Sequence, residues 1–69
     1  MKRKELYNLA KKIAIAEIQR SNAVNEEEKA SAERVICALS GRISNLTEMM
    51  ILDELIQDEI ARLQKDKNS

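Results

Sequence analysis

The sequence contains no proline and only one glycine, Gly41, among its 69 residues. β-Hairpins and β-sandwiches depend on these two residues at their turns, so the chain lacks the turn signals of a β fold. Hydrophobic residues make up 43% of the chain, and almost all are aliphatic because Tyr7 is the only aromatic residue. This composition predicts an all-α protein.

The residues that most often carry chemistry are also scarce. There is no histidine and a single cysteine, Cys37, which excludes an internal disulfide and a cysteine–histidine metal site. Without histidine the commonest general base is absent, and without a glycine-rich loop there is no backbone nest for a phosphate. We therefore predict a non-enzymatic protein with no catalytic, cofactor-binding or metal-binding residues and no small-molecule substrate.

Two further features have a chemical and a structural interpretation. Cys37 could be a reactive thiol, but we interpret it as a small, partly buried hydrophobe, which is the commoner role of a lone helical cysteine. Four carboxylates lie close together near the end of the chain, but a single helix cannot enclose a cation. We interpret these residues as a solvated acidic face: Asp53, Glu54, Asp58 and Glu59.

Length and charge bear on stability and on partners. A chain of 69 residues forms one domain, 1–69, and buries too small a share of its surface to be very stable without assembly. Twelve basic and twelve acidic residues cancel, but the first twenty residues have a net charge of +4 and the remainder of −4. We expect the basic first helix to face the acidic remainder.

No segment has the features of a membrane span or a secretion signal. The longest apolar run, from Val35 to Leu39, is far shorter than the roughly 18 residues that a span needs. Lys11 and Lys12 interrupt the apolar stretch near the amino terminus. We expect no membrane association and a cytoplasmic protein, or one of another reducing intracellular compartment, with a virus-associated setting left open.

Apolar spacing and capping residues predict a helical hairpin. Residues 3–21 form helix 1, because apolar side chains recur there at spacings of three and four: Leu6, Leu9, Ile13 and Ala16. Asn25 stands three residues before Glu28, an asparagine version of the capping box, and starts helix 2 over residues 26–41. The connection is short, so the two helices are antiparallel neighbours.

The course of the chain after Gly41 has two interpretations. Gly41 can end helix 2, and Asn45 precedes Glu48 by three residues, repeating the pattern at the start of helix 2. We therefore predict a small three-helix bundle, with helix 3 over residues 46–65 and a frayed tail at 66–69. The alternative is a two-helix hairpin with one long second helix, since the apolar spacing continues through the glycine.

Helix 3 is apolar on more than one side. Leu52 and Ile56 belong to its main stripe, whereas Ile51 and Leu55, one turn apart, are predicted to point elsewhere. Neighbouring helices of the bundle could cover both sides; otherwise one side meets a second protein chain, with two adaptable methionines at the contact. The predicted protein-interaction residues are Met49, Met50, Ile51 and Leu55, together with Ile15 and Ile18 on helix 1.

The leading functional hypothesis is a protein–protein interaction module or small accessory subunit that acts through apolar helix faces. It either self-associates or docks on a larger assembly. The alternative is a small nucleic-acid-binding regulator that uses the basic first helix. Its predicted contacts are Lys2, Arg3, Lys4, Lys11 and Lys12, but Tyr7 alone offers a stacking platform, so we rank nucleic acid below a protein partner.

Overall fold

The computed structural model describes residues 2–68, and the side chains of residues 2–65. Over this range the chain forms three α-helices: α1 (Arg3–Ser21), α2 (Glu26–Ser40) and α3 (Leu46–Asn68). The described residues include no strand. The predicted all-α class and three-helix bundle are confirmed. The long second helix is excluded, because residues 41–45 are not helical.

The first loop ends in the Asn25 half of the predicted capping box. The Glu28 amide donates a hydrogen bond of 2.8 Å to Oδ1 of Asn25. The Glu28 carboxylate in turn accepts one of 3.3 Å from the amide of Val24, the residue before the cap. Negative charge in this first turn is favoured by the exposed amide groups of the helix end. Local sequence therefore determines where α2 begins.

The break between α2 and α3 is built from a cap, a buried loop residue and a second cap. Gly41 follows the helix with right-handed backbone angles, φ −66° and ψ −11°, and its amide donates to the Cys37 carbonyl at 3.0 Å. Two residues later the Ile43 side chain enters the core and is only 6% exposed. Asn45 then caps α3 by accepting from the Glu48 amide at 3.3 Å. The chain leaves the helix, and so Ile43 reaches the core.

Helix α1 lies between the other two helices and contacts both, whereas no described Cα atom of α2 lies within 8 Å of one in α3. Its buried surface is broad for this reason, and three small alanines let the neighbouring helices approach closely. The buried residues of α1 are Leu6, Leu9, Ala10, Ile13, Ala14 and Ala16.

The core cluster joins α1 to both neighbours near one end of the molecule. Leu6, Leu9 and Ile13 of α1 pack there with Ile43 and with Leu52 near the start of α3. At the opposite end, residues near the ends of α1 and α3 line one groove, so α3 runs parallel to α1 while α2 is antiparallel. The molecule is flattened, with Cα dimensions of 34 × 30 × 15 Å.

The backbone of α3 is helical to Asn68, three residues beyond the predicted end at residue 65. The sequence after Gly41 contains no proline or glycine that would stop the helix. The predicted frayed tail, 66–69, falls in part on Ser69 and on side chains that lie outside the described residues.

Truncating the most buried large side chain should destabilise this fold strongly. Ile13 is 2% exposed, so Ile13→Ala should lower the free energy of unfolding by roughly 2–5 kcal/mol. Ile51→Ala is a matched control, since Ile51 is 40% exposed and should lose much less. Urea denaturation at a fixed protein concentration measures both values. Equal losses would place Ile13 outside the core.

Candidate interaction surfaces

The predicted interaction residues fall in three separate places. Met49 and Met50 lie on one side of α3, Ile51 and Leu55 lie elsewhere on that helix with Leu55 turned toward the core, and Ile15 and Ile18 lie near the end of α1. No single predicted surface therefore contains them all. Each place has its own geometry and its own neighbours.

The first surface is a shallow groove, which we call the methionine groove. It is lined by Ser40, Met49, Met50, Leu52, Asp53 and Ile56. Both methionines are exposed, at 46% and 65%, whereas Leu52 is buried at 5%. The groove therefore has an apolar floor that belongs to the core and exposed, unbranched thioether side chains at its rim.

Leu46 extends this apolar surface and was not predicted as an interaction residue. It is the first residue of α3 and is 73% exposed. At about 100° per residue it lies between Met49 and Met50 on the helix surface, one turn earlier. Spacings of three and four to the methionines were the signal that could have identified it.

Leu55 does not point away from the bundle as predicted. It is half-buried and packs against the core cluster. The buried line of α3 contains Leu52 and Glu59 at 5% exposure each, which places Leu55 between them on the side facing α1. The predicted stripe residues Leu52 and Ile56 do reach the core, so the buried side of α3 is wider than predicted and includes Leu55. Ile51 is 40% exposed and remains on the outer flank.

The second surface is formed by the last two turns of α1, which stand as a ridge between two grooves. The groove toward α3 has a volume of about 550 Å³, and its lining residues among the described side chains are all uncharged: Ile15, Ile18, Gln19, Ser21, Asn22, Leu63 and Gln64. The groove toward α2 is lined by Ile18, Gln19, Asn22, Glu28, Ser31, Ala32 and Val35. We call the ridge and both grooves the uncharged face. Among the described residues that line it, Glu28 alone is charged, and the others are apolar or neutral polar.

The basic residues of the alternative hypothesis are all exposed. They lie at and after the start of α1: Lys2, Arg3, Lys4, Lys11 and Lys12. The Lys11 ammonium stands 5.3 Å from the centre of the Tyr7 ring, a cation–π distance. Arg42 lines a small groove together with Lys12. The basic side chains are therefore presented to solvent along one half of α1.

The acidic residues of α3 do not form one solvated face. Asp53, Glu54 and Asp58 are exposed, but Glu59 is only 5% exposed. Its carboxylate accepts a hydrogen bond from the Arg62 guanidinium one turn later. That interpretation was wrong for Glu59, because α3 turns this residue toward α1.

Neither the described carboxylates nor Cys37 forms a metal-binding or catalytic site. Among the described side chains, no group of three or more His, Cys, Asp or Glu residues is placed to hold a metal ion. Cys37 is exposed, so its interpretation as a partly buried hydrophobe was wrong. Within the described residues, no helix has both the length and the hydropathy of a membrane span.

Comparisons with protein-family models, curated proteins and solved structures returned no match. The functional argument therefore depends on the surfaces alone.

The buried Glu59 carboxylate should make Arg62 important for stability. Arg62→Ala should lower the free energy of unfolding by about 1–3 kcal/mol, because it leaves a buried acceptor without its charged donor. Adding Glu59→Leu should restore most of that loss, since an apolar side chain needs no partner in this position. Chemical denaturation of the two single variants and the double variant gives the coupling free energy between Glu59 and Arg62. Additive effects would mean that the pair contributes nothing.

Proposed function

We propose that this protein is a non-enzymatic interaction protein that binds a partner protein at the methionine groove. One observation carries the proposal. Three large apolar side chains, Leu46, Met49 and Met50, are 73%, 46% and 65% exposed on one side of α3, beside an apolar floor. Clustered exposure of this kind on a small protein is typical of a binding site rather than of a solvated surface.

The chemistry of the groove suits a helix or an extended apolar segment of the partner. Unbranched methionine side chains adapt to irregular partner surfaces, and grooves between helices commonly accept the apolar face of an amphipathic helix. Asp53 and Ser40 supply the polar part of the lining. A partner with apolar side chains and a basic residue opposite Asp53 would match both parts of the groove.

The absence of histidine in the sequence and of a built ligand site among the described side chains favour binding over catalysis. We further propose that the protein works in the cytoplasm or another reducing intracellular compartment. In such a compartment the exposed thiol of Cys37 would remain reduced.

Charges placed in the methionine groove should abolish partner binding without unfolding the chain. We expect Met49→Glu with Met50→Glu to lose the protein that wild-type chain captures from a lysate of its host, because a carboxylate at an apolar contact has no partner. Gln57→Glu with Ala61→Glu is the matched control, since both residues are exposed on α3 outside the groove. Circular dichroism checks that both variants remain helical.

Capture of the same protein by wild type and by the groove variant would contradict this assignment. Loss of capture by the control as well would point to a general effect of added charge on α3.

The second candidate is a nucleic-acid-binding regulator. The observation in its favour is that all five predicted basic contacts on or beside α1 are exposed. Ion pairs among the described side chains include Arg20 with Glu17 and Arg62 with Glu59, each within one helix. Neither pair involves the five basic residues on or beside the first half of α1, so these side chains can approach phosphates. Only Tyr7 is available for base stacking, which is why this candidate ranks second.

Salt dependence distinguishes the second candidate from the first. We expect no micromolar binding to a random duplex or single strand at roughly 150 mM salt. Fluorescence anisotropy at increasing salt measures it. Tight binding that falls steeply between about 50 and 200 mM salt, and that Lys4→Glu with Lys11→Glu and Lys12→Glu removes, would reverse the ranking.

A further inference from the structure

We propose that a second copy of this chain packs against the uncharged face, forming a two-fold symmetric dimer. This surface shares no lining residue with the methionine groove. The inference therefore does not depend on the proposed function. It concerns the end of the molecule where α1 and α3 finish.

The charge distribution is the first argument. Charged residues make up 35% of the chain, but none of the described side chains that line the groove between α1 and α3 is charged. Glu28, the charged residue of the neighbouring groove, already accepts a hydrogen bond from the Val24 amide in the α2 cap. Depletion of charge from the centre of a patch is a property of protein interfaces.

Two-fold symmetry favours a patch of this chemistry. A two-fold interface brings the same surface of both copies together, so a charged side chain near the axis meets its own like charge. Side-chain amides both donate and accept hydrogen bonds and can pair with their own kind. The polar part of the uncharged face includes three such amides, from Gln19, Asn22 and Gln64. The formal net charge of zero adds no overall repulsion between copies.

The shape of the face is also self-complementary. The ridge of α1, with Ile15 at 50% exposure, stands between two grooves. The ridge of one copy can occupy a groove of the other, and symmetry makes the reciprocal contact at the same time. A different protein would need its own ridge and groove of matching shape to make the same contact.

The exposed area agrees with an interface of ordinary size. A compact monomer with the mass of this chain, 7.9 kDa, exposes about 4,400 Å² by the usual scaling of surface with mass. This chain exposes 5344 Å². The open arrangement therefore leaves about 900 Å² more surface over the whole molecule than a compact monomer has, which is enough to include the roughly 800 Å² that each partner buries in a standard interface. The radius of gyration, 12.4 Å, is likewise larger than the roughly 11 Å expected for this length.

Sedimentation equilibrium of the full chain tests the dimer. From roughly 1 μM to roughly 1 mM, the wild-type mass should rise from the chain mass of 7.9 kDa toward twice that value. Gln19→Lys with Gln64→Lys should raise the dissociation constant on the order of 100-fold, because both charges enter a neutral contact with no counter-ion. Lysine has good helix propensity and both glutamines are exposed, so the variant should keep its helical circular dichroism.

Two control variants locate the contact. Gln57→Lys makes the same change at an exposed site of α3 outside both grooves and should dimerise as wild type does. Met50→Glu, in the methionine groove, should also dimerise normally.

Three outcomes would overturn the inference. The first is a wild-type chain that stays monomeric at the highest concentration. The second is a dimer that survives both lysines in the uncharged face. The third is a dimer that Met50→Glu dissociates, which would move self-association to the methionine groove. None of these outcomes bears on capture of a different protein at that groove, so the two proposals fail separately.

Discussion

The packing of α1 against both other helices is the contact on which the rest of the molecule depends. No described Cα atom of α2 lies within 8 Å of one in α3, so the close backbone packing of both outer helices is against α1. Ala10 and Ala14 of α1 are fully buried, which means that the neighbouring backbones lie close to the central helix. A larger residue at either position would push one of the outer helices away and open the core.

This arrangement explains why so much apolar surface remains outside the core. A closed bundle covers three faces with three close helix–helix contacts, but among the described residues the close contacts are those of α1 with α2 and of α1 with α3. Met50 and Val35 remain 65% and 45% exposed on the two outer helices, and Ile15 remains exposed on the central one. The apolar surfaces available for partners thus follow from the open arrangement of the helices. The charged residues lie on the remaining exposed surface.

Much of this fold could be predicted from the sequence because its helix boundaries are local. Asn25 and Asn45 cap their helices through short-range hydrogen bonds, and such bonds depend on residues only two or three positions away. The width of the buried side of α3 depends on distant contacts and was underestimated. A periodicity argument assigns Glu59 to solvent, whereas the structure buries it with Arg62 as its partner. That error moved Leu55 to the wrong side of the helix. The spacing of three between Glu59 and Arg62 was the available signal, but it also describes an ordinary exposed ion pair.

The exposed line of α1 changes character along its length, and this change separates the two proposed contacts. Its first half carries Lys4 and Lys11, and its second half carries Ile15 and Gln19, all exposed. Like charges would oppose a two-fold contact along the first half, so only the second half is suited to one. The methionine groove lies on the start of α3, near the end of α2, and is left free by such a contact.

A dimer would therefore present two methionine grooves. Where a partner offers two matching sites within reach, binding at the first raises the effective concentration at the second, and overall affinity can rise by about 10²–10⁴ with no new contact. Self-association at the uncharged face would in this way raise the affinity of partner binding at the methionine groove, whose own apolar area is small.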